Sequence, residues 1–202
     1  MNTRAFNIDC MIAMSEYPDK YFDLAIVDPP YGIDRNGMNM GNSIFNKDNK
    51  IWDKKAPDNL YFESLFRLSK NQIIWGGNYF NLPPSQYFAI WDKGETMYGR
   101  DFAECEFAWV RFGGTRIYKK IPNQLDRIHP TQKPIALYKW ILDKYAKPGD
   151  KILDTHLGSG SSRIAAYDLG FYFTGYELDK EYFDLQEKRF KNHAAQLKIF
   201  TP

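Results

Sequence analysis

The stretch from Lys151 to Glu177 constrains the fold more than any other. A short apolar strand, Lys151–Leu153, leads into a turn carrying Gly158-Ser159-Gly160. A helix over Ser161–Leu169 follows and is ended by Gly170, and a second strand spans Tyr172–Gly175. Two sheet strands joined through a helix run parallel. Other apolar runs of buried-strand length stand at Asp23–Val27 and Gln72–Trp75, with shorter candidates at Phe6–Asp9, Tyr87–Trp91 and Glu104–Arg111. The last alternates only partly, which predicts an edge or antiparallel position. Helices are expected from Pro57 or Asp58 to about Ser69, after Pro134, and over Lys180–Gln196. In the second of these, Tyr138, Ile141, Leu142 and Tyr145 recur at helical spacing before Lys147-Pro148-Gly149 stops them. The alternation predicts an α/β fold: a mostly parallel twisted sheet, helices on both faces, and one antiparallel strand. No linker divides the 202 residues, so 1–202 is expected to be a single domain.

Composition narrows the chemistry. Two cysteines cannot build a disulfide framework, and three scattered histidines lack metal-ligand spacing, so no metal is expected. No run approaches the ~18 apolar residues of a membrane span, and the first residues lack a signal-peptide core. The cytoplasm is the expected compartment. Net charge is only +2, but residues 111–133 hold six basic side chains (Arg111, Arg116, Lys119, Lys120, Arg127 and Lys133) against Asp126 alone. That excess makes the segment a candidate phosphate contact.

The Gly158-x-Gly160 turn lets a ligand approach backbone amides, and Glu177, 17 residues beyond Gly160, stands where an acid accepts ribose hydroxyls. The third glycine of a dinucleotide fingerprint is absent; Arg163 holds its place. Asp9, Asp28, Asp154 and Glu177 all fall at expected strand carboxyl ends, which face one crevice in an open α/β sheet. Four acids suit a cation better than a pyrophosphate. The ligand this favours is S-adenosylmethionine, a sulfonium.

Asp28-Pro29-Pro30-Tyr31 closes the second strand. Its prolines fix a rigid turn and donate no hydrogen bonds. The aspartate and a nearby carbonyl can accept both hydrogens of an exocyclic amino group, and Tyr31 offers a stacking face. An aromatic amine is a poor nucleophile, and methylation makes its nitrogen transiently cationic. A carboxylate there stabilises charge that develops in the transition state. A base in a duplex must be flipped to reach such a pocket, at a cost of a few kcal/mol, partly offset by stacking of ~1–3 kcal/mol.

In these motifs the chain resembles the β-class S-adenosylmethionine-dependent DNA amino-methyltransferases. Asn7-Ile8-Asp9-Cys10, the Asp-Pro-Pro-Tyr motif, His129-Pro130-Thr131-Gln132-Lys133-Pro134 and Asp154–Ser161 follow the family's order. The resemblance implies a Rossmann-like methyltransferase domain in which Asp28, Pro29, Pro30 and Tyr31 hold a flipped base. It assigns Asp9, Cys10 and Asp28 to the cofactor site, with Asp9 on the adenine and Glu177 on the ribose. Asp154, Gly158, Ser159 and Gly160 line the methionine-side turn. His129, Thr131, Gln132 and Lys133 approach the methionine end, with Lys133 the candidate for its carboxylate. Read by itself, the HPTQKP segment is a polar turn with Pro134 at a helix N1 position. Thr155 and His156 depart from the family's Pro-Phe; His156 is expected as an uncharged, cofactor-facing ring.

The implied reaction is methyl transfer to adenine N6 in DNA, releasing S-adenosylhomocysteine. Cytosine N4 methylation and a non-catalytic DNA-binding module are the alternatives. Segments 34–55, 94–101 and 112–128 are the candidate readers of DNA sequence, with Arg111, Arg116, Lys119, Lys120 and Arg127 contacting phosphates. The compact layout resembles solitary phage and prophage enzymes, so a restriction partner is not implied. The resemblance is compatible with a homodimer but points to no interface.

Overall fold

Leu24 and Ile26 are buried on one side of a central strand, and Ala25 and Val27 on the other. That alternation, with both faces apolar, belongs to a sheet covered on both sides. In the computed structural model, which describes residues 3–33, 55–100, 103–122 and 127–196, eight strands form one sheet. They are β1 (Thr3–Asn7), β2 (Phe22–Val27), β3 (Ser69–Trp75), β4 (Tyr87–Asp92), β5 (Cys105–Val110), β6 (Arg116–Lys119), β7 (Lys151–Asp154) and β8 (Tyr172–Glu177). Their order across the sheet is β1-β8-β7-β2-β3-β5-β4-β6. Only β5 runs against the rest, pairing antiparallel with both β3 and β4.

Helices α1 (Cys10–Ser15) and α2 (Asn59–Leu68) cover one face. On α2, Tyr61, Phe62, Leu65 and Leu68 form the buried stripe, and the Asp58 side chain caps the helix by accepting from the Tyr61 amide at 3.1 Å. Helices α3 (Ile135–Tyr145), α4 (Ser161–Asp168) and α5 (Lys180–Ala195) lie on the other side, where Leu137, Tyr138, Ile141 and Leu142 of α3 enter the core.

Four expectations are corrected. The first strand begins at Thr3 and ends at Asn7, because its partner β8 pairs with it from Phe173 to Glu177. Asp9 therefore falls outside the strand and caps α1, accepting from the Met11 amide at 2.7 Å. Strand β5 is antiparallel, one of its two expected positions, but segment 112–128 holds an unexpected edge strand, β6, which is short and largely exposed with no apolar alternation to reveal it. Pro134 is extended (φ −64°, ψ 142°) and sits one position before the helix, as its N-cap.

The antiparallel strand positions the site. Parallel strands β2, β3, β7 and β8 reach a common edge with their carboxyl ends. Strand β5 reaches that edge with its beginning, because Trp91 pairs with Glu106 and Asp92 with Cys105.

Candidate active site

A cavity of about 700 Å³ opens at the carboxyl edge of the sheet. Its walls come from distant parts of the chain. The β1–α1 junction supplies Asp9 and Cys10, the loop after β2 supplies Asp28 and Pro30, and α2 supplies Tyr61. The segment before α3 adds His129, Thr131, Gln132 and Lys133; the glycine turn adds His156, Gly158 and Ser159; and β8 ends in Glu177. Four of the site residues expected from sequence are not in this wall: Pro29, Tyr31, Asp154 and Gly160. Among the described residues there is no cluster of side chains able to hold a metal ion.

The glycine turn is braced by its own acid. Glu177 accepts from the Gly158 amide at 2.8 Å and from the Asp179 amide at 2.9 Å. A protein carboxylate thus occupies an amide that a pyrophosphate would otherwise take, which fits a cationic ligand better than a dinucleotide. Burial raises the Glu177 pKa, and the two amides offset part of that. Gly160 serves the turn differently: its φ is +71°, and an added Cβ would lie 3.0 Å from the Gln186 side-chain oxygen. It is needed for the left-handed turn and for close packing against α5 rather than as a wall of the cavity.

Asp154 is 2% exposed, beneath the turn. It accepts from Ser162 Oγ at 2.6 Å and from the His156 amide at 3.0 Å. Burial pushes its pKa up to about 7, opposed by those two hydrogen bonds. It is a buried strut for the turn.

His156 faces the cavity, edge-on to the Tyr61 ring at 5.4 Å between centroids. Burial lowers its pKa to about 4, so the ring is neutral at physiological pH. Tyr61, fully buried, keeps its proton, because burial raises its pKa well above the ordinary value. Its hydroxyl lies 2.6 Å from Thr155 Oγ1, which in turn lies 3.0 Å from His156 Nδ1. If Tyr61 donates to Thr155 and Thr155 to Nδ1, every hydrogen in the chain is used and the imidazole hydrogen rests on Nε2. Cys10 is likewise neutral, its thiol pushed up to about 12 by burial and by neighbouring Asp9.

Asp28 accepts from the Tyr31 hydroxyl at 2.8 Å on one oxygen and from Lys133 Nζ at 2.5 Å on the other. Tyr31 lies behind the cavity wall, stacked on Tyr79. A Cβ on Gly76 (φ +66°) would fall 2.3 Å from its ring, so only glycine can turn there. Lys133, expected at a free carboxylate, is buried and bound twice over by protein acids: Asp28, and Glu106 at 3.2 Å. Glu106 also meets Lys93 at 2.8 Å. Sequence reasoning passed over Glu106, Lys93 and Tyr79. An acid inside the apolar strand Cys-Glu-Phe-Ala-Trp-Val was the available signal for Glu106.

The basic residues do not form one patch. Lys119 and Lys120 end β6 at the cavity edge of the sheet, beside a groove that also includes Gln132 and Arg189. Lys119 pairs with Glu95 at 2.7 Å. Arg116 begins β6 and Arg111 follows the end of β5, so both lie at the opposite edge. Arg111 stacks over Phe66 and Phe112. Arg127 turns back to donate to the Pro130 carbonyl. Segments 34–54 and 123–126 lie outside the described residues, as do most of the first expected sequence reader and part of the last.

A family model described as DNA methylase matches residues 84–188. The type II methyltransferase M2.DpnII of Streptococcus pneumoniae is 43% identical over 157 residues, covering 78% of this chain and 53% of that protein. The type II methyltransferase M2.MboI of Moraxella bovis is 26% identical, covering 96% of this chain and 90% of that protein. Among solved structures, the M1.HpyAVI–SAM complex superimposes with a TM-score of 0.63 at 21% identity, covering 94% of this chain and 100% of that one. The PvuII DNA methyltransferase (cytosine-N4-specific) does so with a TM-score of 0.64 at 12% identity, covering 100% and 89%. Both likenesses concern the fold. No described helix is long and apolar enough to cross a membrane.

Proposed function

The chain belongs to the DNA methylase family, and we propose that it transfers a methyl group from S-adenosylmethionine to the N6 amino group of adenine in DNA. One observation carries this reading: Asp28 of the Asp-Pro-Pro-Tyr loop and the glycine turn braced by Glu177 open into the same cavity. The structurally similar M1.HpyAVI was solved as a complex with SAM, which supports the choice of cofactor. Within the resemblance, an Asp-Pro-Pro-Tyr motif more often accompanies adenine N6 methylation and a Ser-Pro-Pro-Tyr motif cytosine N4, so Asp28 favours adenine.

The acid-rich wall fits the sulfonium, which supplies an electrophilic methyl group. On this reading Asp9, His156 and Glu177, which line the cavity, hold the adenosine part, and Ser159 and Thr131 the methionine part. Asp28 accepts a hydrogen of the amino group and Pro30 keeps the loop rigid. When bound, S-adenosylmethionine would supply the methyl group and keep the electron pair of the broken sulfur–carbon bond, and the methylated amino nitrogen would carry positive charge until one of its protons passed to solvent water. On this reading the Asp28 carboxylate stabilises that developing positive charge, and stabilisation of this kind is worth about 2.7–4 kcal/mol per group. Lys119 and Lys120 provide phosphate contacts beside the cavity.

The decisive experiment incubates the protein with DNA and methyl-labelled S-adenosylmethionine, then digests the DNA for nucleoside mass spectrometry. Label in N6-methyldeoxyadenosine is the expected result. Label in N4-methyldeoxycytidine would keep the reaction and overturn the base. Asp28→Ala should lower transfer by about 100-fold or more while S-adenosylhomocysteine still binds. Undiminished transfer would remove Asp28 from the mechanism.

A further inference from the structure

Four charged side chains form a line from the cavity into the sheet. Asp28 meets Lys133 at 2.5 Å, Lys133 meets Glu106 at 3.2 Å, and Glu106 meets Lys93 at 2.8 Å. The Lys133 side chain is 3% exposed, and its ammonium lies 5.1 Å from the centre of the Trp75 ring. Burial alone would lower the Lys133 pKa, but the two carboxylates overcome it and hold the lysine charged. Burial would likewise raise Glu106, yet Lys133 and Lys93 bring it down to about 2. Two acids and two bases alternate, so the line is neutral as a whole. A buried ion lacking its partner is strongly destabilising, which ties each member to the next.

We propose that Lys133 is a positioning residue that keeps the Asp28 carboxylate ionised and aimed at the amino group, and that Glu106, backed by Lys93, holds Lys133 there. This rests on the methyl-transfer reading of the site. It replaces the role given to Lys133 by family resemblance, a contact to the methionine carboxylate. Its geometric basis is that the ammonium is shared between two protein carboxylates. Asp154 from β7, Tyr138 from α3 and Tyr61 from α2 also face Asp28, with the Tyr31 hydroxyl on its own loop; Lys55 lines the same cavity, and Glu106 from β5 reaches Asp28 only through the shared Lys133.

The test compares Lys133→Met, Lys133→Arg and Glu106→Gln for the pH profile of kcat in methyl transfer and for S-adenosylhomocysteine binding by calorimetry. In Lys133→Met the acidic limb of kcat should move up by about 1–3 pH units, because Asp28 loses its counter-ion. Lys133→Arg should restore most of the limb. Glu106→Gln should lower kcat about tenfold without moving the limb upward, since a loosened lysine aims Asp28 less well. Binding should stay within about twofold in all three. Binding weakened tenfold in Lys133→Met, with the limb unmoved, would return Lys133 to the methionine carboxylate and overturn the proposal. The double variant Lys133→Met with Glu106→Gln removes one charge of each sign and serves if the single variant does not fold. Carbon-13 NMR titration of Asp28 gives the same comparison without turnover. A carboxylate titrating at the same pH with and without Lys133 would also overturn the proposal. Absence of methyl transfer by the unmodified protein would instead count against the functional reading alone.

Discussion

The rings of Tyr31 and Tyr79 lie nearly parallel, 4.9 Å apart between centroids and 14° between planes. Tyr79 stands on the single 3₁₀ turn Gly77–Tyr79 after β3 and is 46% exposed. One face of the ring expected to stack on a flipped base is therefore already covered by a half-exposed aromatic side chain. A base that takes this face must displace Tyr79, and such a ring pair is worth about 0.5–1.5 kcal/mol beyond its buried area. Tyr79→Ala is expected to lower KM for DNA about 2–10-fold with kcat little changed. A rise in KM would show that Tyr79 clamps the base itself.

Asp154 holds its proton in the folded state up to about pH 7, whereas the unfolded chain releases it near the ordinary carboxylate value. The folded protein loses stability as pH rises through this window, and the loss is complete above about 7. Asp154→Asn keeps a short polar side chain between Ser162 and the His156 amide. It should raise Tm by about 3–6 °C relative to wild type at pH 8 and by much less at pH 5. Equal differences at both pH values would show that the carboxyl is not held protonated.

His156 gives the opposite slope. Its pKa is lowered to about 4, so between that value and 6.5 the unfolded chain binds a proton that the folded one refuses. Stability is present above this window and is lost as pH falls through it. His156→Phe should shrink the fall in Tm between pH 7 and pH 5. The same change leaves one hydroxyl hydrogen of the Tyr61–Thr155 pair without an acceptor, at a cost of about 1–3 kcal/mol that is independent of pH. An unchanged acid sensitivity would place the titrating group elsewhere.

Lys119 and Lys120 share the cavity edge, and Arg111 and Arg116 the far edge. Replacing both lysines by alanine should reduce the slope of log affinity for DNA against log salt by about 1–2. Replacing both arginines should leave it unchanged. A slope that responds to the arginines instead would put the DNA on the other edge of the sheet.

The sheet was legible because its central strands are apolar on both faces, and every helix expected from periodicity is present. The cavity was legible from the four acids expected at strand ends, although Asp9 falls beyond its strand and Asp154 lies beneath the cavity. What escaped the sequence depends on which strands become neighbours. The basic count over residues 111–133 treated as one surface a segment that crosses the sheet from one edge to the other along β6. The role of Lys133 was hidden because its second partner, Glu106, comes from β5, and no local pattern shows that β5 lies between β3 and β4. The place of Tyr79 depends on the Gly76 turn folding back beneath Tyr31, a contact between loops 45 residues apart by number.

The reversed strand β5 has a consequence for where this chain can accept insertions. Because β4 ends and β5 begins at the cavity edge, the connection 93–104 leaves and re-enters the sheet beside the reacting groups. Extra residues inserted there would emerge beside the cavity while both strands kept their pairings, so the chain can be lengthened at this hairpin without disturbing the sheet below.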